Sequence, residues 1–384
     1  MKTLYLNADV LLNEKIEKLN FYVSDGKFYH VTNGQNTCAA EPSACGTVDL
    51  SGCTVLPALF DIHTHGANGF DFNTADADGM GKILTHYYEN GVGSALATVM
   101  TDSRENTLRR LSLIAEFAKN HPVIKGVHLE GPFLSQAYKG AMDARYLLPP
   151  DIGLFEKYQK AAGGLIKLIT IAPELESAAE FTKYVAKNGG AVSLGHSAAT
   201  YAQTLVCLDA GANSFTHTFN AMKPVDHHSP SIALAALLSD AYAEAVCDGH
   251  HLAPEIVRLL LKTKTKNRLV CVTDSTMAAG LADGEYSLSG APVTVKNGEV
   301  FLTGTGTRAG SALSAFDGLN NYMNFTGEKI SDAILPFTLT PASLLGLQEK
   351  TGSLAEGKSA DFFAVKNGKV AATFIGGENV YRAV

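Results

Sequence analysis

The chain has 384 residues, 46% hydrophobic and 18% charged, with a formal net charge of −7. That length exceeds the ~250–300 residues at which single cores stop growing, so one large domain and a smaller companion are expected. The acidic balance without a Lys/Arg run argues against nucleic-acid and anionic-membrane binding, and no apolar run approaches the ~20 residues of a membrane span.

At the N-terminus, Asn7 and Asp9 interrupt the apolar core that a signal peptide requires, and a cytoplasmic protein is the expectation. The segments TLYLNADVLL, KLNFYVSDGKFYHV and TVDLSG are short, alternating and joined by Asn/Asp/Gly turns, the texture of a small β-sheet. The C-terminal SLAEGKSADFFAVKNGKVAATFIGGENVYRAV has the same texture, with KNGK as a hairpin turn. These ends predict a small β-sandwich built from residues 1–53 and 346–384, flanking a domain over 54–345.

The middle alternates strand and helix. TVLPALFDIHTHG precedes a helix near 76–90, SALATVMT one near 103–120, and IKGVHLEG one near 150–162. LIKLITIAPE, AVSLGHS, NSFTHTFNAM and AYAEAVCDGHH each lead into a further amphipathic segment, and NRLVCVTDS closes the set. Apolar strands alternating with amphipathic helices imply a parallel sheet, and eight units without a GxGxxG favour a closed (β/α)8 TIM-like barrel over an open doubly wound sheet. Residues 275–310 read as a β-hairpin excursion, after which a helix resumes near 311–321. The six cysteines (38, 45, 53, 207, 247, 271) lack CxxC spacing and read as reduced, mostly buried thiols.

Polar residues gather at the strand ends. The first strand ends in His63-Thr64-His65, the third in Glu130, the fifth in His196, the sixth in His217, the seventh in His250-His251 and the eighth in Asp274. In a barrel these tips share the C-terminal rim, where active sites are built. A lone His or Glu at a strand tip is ordinarily a hydrogen-bonded loop residue. Joint placement of His, Glu, His, His and Asp at the tips of five different strands (the first, third, fifth, sixth and eighth) instead points to a divalent metal, because imidazole and carboxylate are the ligand set of Zn²⁺ or Fe²⁺. It also accounts for a charge on Glu130 at the tip of an apolar strand, which needs a strong partner. A metal with an open position activates water, and a nearby carboxylate such as Asp274 can move its proton, so hydrolysis of a C–N bond is the expected chemistry.

With these motifs in hand, the sequence resembles the N-acetylglucosamine-6-phosphate deacetylases of the amidohydrolase superfamily. The resemblance rests on PALFDIHTHG (57–66), HLEGPFL (128–134), GHSAAT (195–200), THTFNAM (216–222), DGHH (248–251), VTDSTMAAGLADGEYSLSG (272–290), AGSALS (309–314) and TPASLLGL with GSLAEGKSADF (340–362). It implies a (β/α)8 barrel with a small β-sandwich, a homodimer, and hydrolysis of the N-acetyl group of an amino-sugar phosphate. It further implies metal ligands at Glu130, His196 and His217, a second metal at His63 and His65, and Asp274 as catalytic acid/base. Substrate contacts fall on Asn220, Ala221 and His251. One or two ions are expected, Zn²⁺ first and Fe²⁺ as the alternative.

Three positions depart from the family pattern. Met142, in KGAMDA, replaces a His that would help polarise the amide carbonyl, and Met cannot donate a hydrogen bond. His228, in HHSPS, stands by offset where an Arg grips the sugar phosphate, and His lacks that bidentate fork. With His227, His250 and His251 it is a candidate cationic cluster for phosphate. Arg308 sits at a usually apolar place and reads as a solvated loop arginine or as a replacement cation. N-acetylgalactosamine 6-phosphate and other N-acyl compounds, including unphosphorylated ones, remain alternative substrates. A phosphoesterase on the same rim and a non-catalytic sensor are lesser rivals.

Overall fold

The structure, a computed structural model, describes residues 2–31 and 45–383. Eight parallel strands form one sheet in chain order: β1 Leu59–Thr64, β2 Val92–Met100, β3 Ile124–Glu130, β4 Ile166–Ile171, β5 Ala191–Leu194, β6 Ser214–Phe215, β7 Tyr242–Val246 and β8 Leu269–Val272. Every residue of β2 is buried, as expected of a parallel strand covered on both faces. The last strand returns to the first. Asp274 N–H donates to the His63 carbonyl at 2.9 Å and His65 N–H to that of Ser275 at 2.7 Å. Asp61 Oδ2 accepts from the Thr273 hydroxyl at 2.6 Å across the same seam. The sheet is a (β/α)8 barrel.

Helices cover its outside: α1 Ala77–Glu89, α2 Arg104–Ala118, α3 Ile152–Ala161, α4 Ala178–Lys187, α5 Tyr201–Asp209, α6 Ile232–Leu238, α7 Pro254–Lys264 and α8 Ala315–Thr326. The sequence carries their start signals. Asp76, Ser103, Asp151 and Ser314 cap orphan N–H groups, and Thr200 with Gln203 makes a capping box before α5. In α4 the buried Ala178, Phe181, Thr182 and Val185 recur at i, i+3, i+4 and i+7, one face of a 3.6-residue period.

Two elements differ from the sequence expectation. β6 has only two residues in the sheet, because the chain turns away at His217, Phe219 and Ala221, whose φ values are 28°, 76° and 50°. The excursion after β8 is a four-stranded antiparallel sheet of Gly284–Leu288, Ala291–Lys296, Glu299–Leu302 and Arg308–Ser311. Its last strand holds the chain extended through Ser311, so α8 starts after the Ser314 cap rather than near 311.

Strands from both termini join in one further sheet. Lys2–Leu12 pairs antiparallel with Lys15–Ser24 and parallel with Cys45–Asp49 and Thr54–Pro57, and Thr54–Pro57 pairs antiparallel with Phe362–Lys366. Tyr5, Phe21, Phe28, Phe362 and Phe374 form its aromatic centre, with Phe362 and Phe374 stacked at 4.5 Å and Tyr5 edge-on to both. Cys53, Cys207, Cys247 and Cys271 are free and buried, while Cys38 and the Cys45 side chain lie outside the described residues.

Candidate active site

At the C-terminal rim, Glu130, His196 and His217 converge. Glu130 Oε1 lies 3.1 Å from His196 Nε2 and 3.2 Å from His217 Nε2, and the two Nε2 atoms are 3.0 Å apart. The Tyr138 carbonyl lies 2.9 Å from His196 Nδ1 and can only accept, so Nδ1 carries the hydrogen and Nε2 presents a lone pair to the other two atoms. Three atoms of ligand type turned toward one point fit a cation. All three side chains are buried.

Beside them, His63, His65 and Asp274 form a second group with metal-ligand spacing. His63 Nδ1 donates to Glu244 Oε2 at 2.9 Å, which leaves Nε2 without a hydrogen-bond partner, 3.4 Å from Asp274 Oδ1 and 3.5 Å from Glu130 Oε1. His65 Nε2 lies 3.1 Å from Asp274 Oδ1 and 3.4 Å from Glu130 Oε2. Glu130 therefore faces both groups.

Electrostatics agree with this geometry. Burial alone would raise the Glu130 and Asp274 carboxyls, but the neighbouring imidazoles outweigh it and hold both well below the ordinary carboxylate range. Burial pulls His63 down, yet the Glu244, Asp274 and Glu130 carboxylates push it well above an ordinary histidine. The site is a pocket of ionised carboxylates that favours positive charge.

The backbone is shaped to the task. His196, His217 and Asp274 sit at φ values of 48°, 28° and 50°, a region non-glycine residues occupy at a penalty of about 1–3 kcal/mol each. At Gly140, with φ 57°, a Cβ would stand 3.1 Å from His196 Cε1. At Gly310, with φ 64°, a Cβ would meet the Asp274 carbonyl oxygen at 2.7 Å. Glycine lets both loops close on the site.

These residues open onto a cavity of about 340 Å³, within the range of small-molecule sites. Asn220, Ala221, His251 and Met142 line it together with His65, Glu130, His196, His217 and Asp274. Asp248 Oδ2 holds His251 Nδ1 at 2.6 Å, and His251 Nε2 lies 3.9 Å from Asp274 Oδ2. His228 is not among the lining residues. It sits exposed on the loop after Met222, its ring against His227 at 3.9 Å, with its N–H donating to Asp226. The four histidines considered as a phosphate cluster are thus not together within one chain: His251 lines the cavity, while His250 is exposed beside Glu299. Arg308, expected on a solvated loop, stands on a strand and lines the cavity.

Three further groups support the ligands. Glu244, fully buried in β7, accepts from His63 Nδ1 and from His217 N–H, both at 2.9 Å, so one oxygen touches both groups. Asp61 accepts from His63 N–H at 3.2 Å, and burial pushes its carboxyl up to about 6. His128 packs edge-on to His63 at 4.5 Å and bonds Thr170 at 2.8 Å. Burial first, and then the neighbouring His63, hold its imidazole well below an ordinary histidine. Each is a polar residue inside an apolar strand, the signal that singled out Glu130.

The amidohydrolase family model matches residues 54–380. A Bacillus subtilis protein named N-acetylglucosamine-6-phosphate deacetylase is 33% identical over 94% of this chain and 92% of its own length. An N-acetylgalactosamine-6-phosphate deacetylase of Escherichia coli O157:H7 is 32% identical over 86% of this chain and 88% of its own. Among solved structures, a mutant N-acetyl-D-glucosamine-6-phosphate deacetylase from Mycobacterium smegmatis, in complex with N-acetyl-D-glucosamine-6-phosphate, superposes with a TM-score of 0.90 at 30% identity, covering 99% of both chains.

Proposed function

The chain belongs to the amidohydrolase family, and from that premise we propose that it hydrolyses the N-acetyl group of N-acetylglucosamine 6-phosphate to acetate and glucosamine 6-phosphate. The observation that carries this reading is the buried convergence of Glu130, His196 and His217 beside Asp274 at the floor of one cavity.

Membership of the family implies a divalent cation. Glu130, His196 and His217 would hold it, Zn²⁺ being our assignment with Fe²⁺ the alternative. His63, His65 and Asp274 would hold a second ion. When bound, such a cation polarises a carbonyl and lowers the pKa of water to about 7.

The chain's own groups do the rest. Asp274, ionised at rest, accepts the proton of the attacking water and later delivers it to the amide nitrogen as the C–N bond breaks. Its backbone is fixed on both sides, by its own N–H to the His63 carbonyl at 2.9 Å and by Ser311 N–H to its carbonyl at 2.8 Å. Asn220 and Ala221 border the sugar from the turn after β6, and His251, held by Asp248, borders it from the β7 side. Met142 supplies no donor to the amide carbonyl.

The proposal extends to a homodimer. It extends to a cytoplasmic location and to a small domain built from both termini, expected over 1–53 with 346–384 but extended by the strand Thr54–Pro57, set on a barrel that begins at Leu59. No helix among the described residues is long and apolar enough to cross a membrane.

Acetate release from N-acetylglucosamine 6-phosphate, N-acetylgalactosamine 6-phosphate and N-acetylglucosamine by metal-loaded protein tests the reading. The first substrate is expected to turn over fastest. Preference for the second would favour the activity of the Escherichia coli relative, and phosphate release in place of acetate would overturn deacetylation.

A further inference from the structure

We propose that Arg308 reads the anionic ester of the substrate from within the same chain, so that the phosphate subsite lies on the strand Arg308–Ser311. The inference rests on the phosphorylated-sugar reading above. Of the lining residues, Arg308 is the one Lys or Arg, whereas His228 lies on an exposed loop outside the cavity wall.

The strand sets the distance. Gly310 abuts the proton-transfer group, since a Cβ there would stand 3.6 Å from Asp274 Oδ1. A strand rises ~3.3 Å per residue, so Arg308 Cα lies ~7 Å along the strand from that of Gly310. That step spans a hexose ring, the interval between an amide at C2 and an ester at C6.

The guanidinium is held ready. Nη2 donates to Glu299 Oε2 at 2.6 Å, and the guanidinium carbon lies 5.2 Å from the Phe301 ring centre, a cation–π placement. Nη1 is buried without any hydrogen-bond partner. A guanidinium has five N–H donors in a rigid fork, so a pairing with Glu299 leaves others free for a second anion. His250 Nδ1, 3.6 Å from Glu299 Oε1, gives that carboxylate another partner as the guanidinium swings toward the substrate.

The test measures kcat/KM on N-acetylglucosamine 6-phosphate and N-acetylglucosamine for wild type, Arg308→Met, Arg308→Lys and His228→Ala, each loaded with metal. Loss of a charged hydrogen bond is worth about 10- to 100-fold. The preference for the phosphorylated sugar is therefore expected to fall by about that factor in Arg308→Met, through KM rather than kcat, with part of it restored in Arg308→Lys. Inorganic phosphate should inhibit Arg308→Met more weakly than wild type. A preference unchanged in Arg308→Met but lost in His228→Ala overturns the assignment while the substrate reading stands. A wild type that shows no preference for the phosphorylated sugar overturns both. Should Arg308→Met fail to fold, Glu299→Gln keeps the guanidinium and removes its competitor; inhibition by inorganic phosphate should then tighten several-fold, and an unchanged inhibition constant counts against Arg308.

Discussion

Met142 lines the cavity, and on the proposed reading it stands where a hydrogen-bond donor would meet the substrate carbonyl, which its thioether cannot supply. A single oxyanion donor is worth about 10²–10³ in kcat. Met142→His is therefore expected to raise kcat at least tenfold; an unchanged or lower value would mean the carbonyl is polarised without that position. Glu244 presents the opposite case, a carboxylate whose one oxygen orients both ligand groups. Residues that orient ligand imidazoles govern metal affinity by about 10–100-fold. Glu244→Leu should lose one metal equivalent per chain by elemental analysis while Glu244→Gln retains it, and full metal content in the Leu variant would refute the role. The convergence of Glu130, His196, His217 and Asp274 was legible in the sequence because each stands at or just past a strand end. Glu244 was not, because it sits mid-strand in AYAEAV, and only its solitary charge in an apolar run betrays it. For Arg308 the sequence leaves a loop arginine and a replacement cation both open, because nothing local in GTGTRAGS reveals that its strand forms a cavity wall.

Among the elements, the strand Arg308–Ser311 carries the most constraint, since it supports Asp274 from one side and faces the cavity from the other. At Gly310 an added Cβ would meet Thr276 Cγ2 at 2.6 Å and the Asp274 carbonyl at 2.7 Å, at a φ of 64°. Gly310→Ala should lose about 1–3 kcal/mol, lowering Tm by several degrees, and should reduce kcat by displacing Asp274. Calorimetry together with kinetics decides; wild-type values in both would remove the strand from the machinery. The barrel helices were legible to within a few residues because each carries an apolar stripe, and α1, α2, α3, α5 and α8 also open on a capping side chain. β6 was not, since NSFTHTFNAM looks extended throughout while its left-handed residues bend it out of the sheet after two positions.

At the scale of the whole molecule, eight repeats of apolar strand and amphipathic helix made the barrel readable. The run TVLPALFDIHTHG hid a change of sheet: Thr54–Pro57 pairs with the terminal strands, and the barrel begins only at Leu59. Alternation cannot mark such a crossing in an unbroken apolar stretch. The response to acid is set in part by His86, buried on α1, where burial holds the imidazole down at about 4. Unfolded, it protonates near 6.5, so between pH 6.5 and 4 the unfolded chain binds more protons and stability falls as pH falls. From pH 7 to 5 this group should remove about 2 kcal/mol. Urea unfolding of His86→Leu should show a shallower acid slope than wild type, and parallel slopes would exclude the assignment. The seam between β1 and β8 has its own consequence for the order of assembly. Glu130, His196 and His217 come from three strands within the middle of the chain, whereas Asp61 and Thr273, 212 residues apart, must meet before Asp274 reaches His65. Contacts so distant in sequence form late. A nascent chain released before residue 274 would carry Glu130, His196 and His217 without Asp274, so on the proposed mechanism competence for hydrolysis arrives only when the ring of strands shuts.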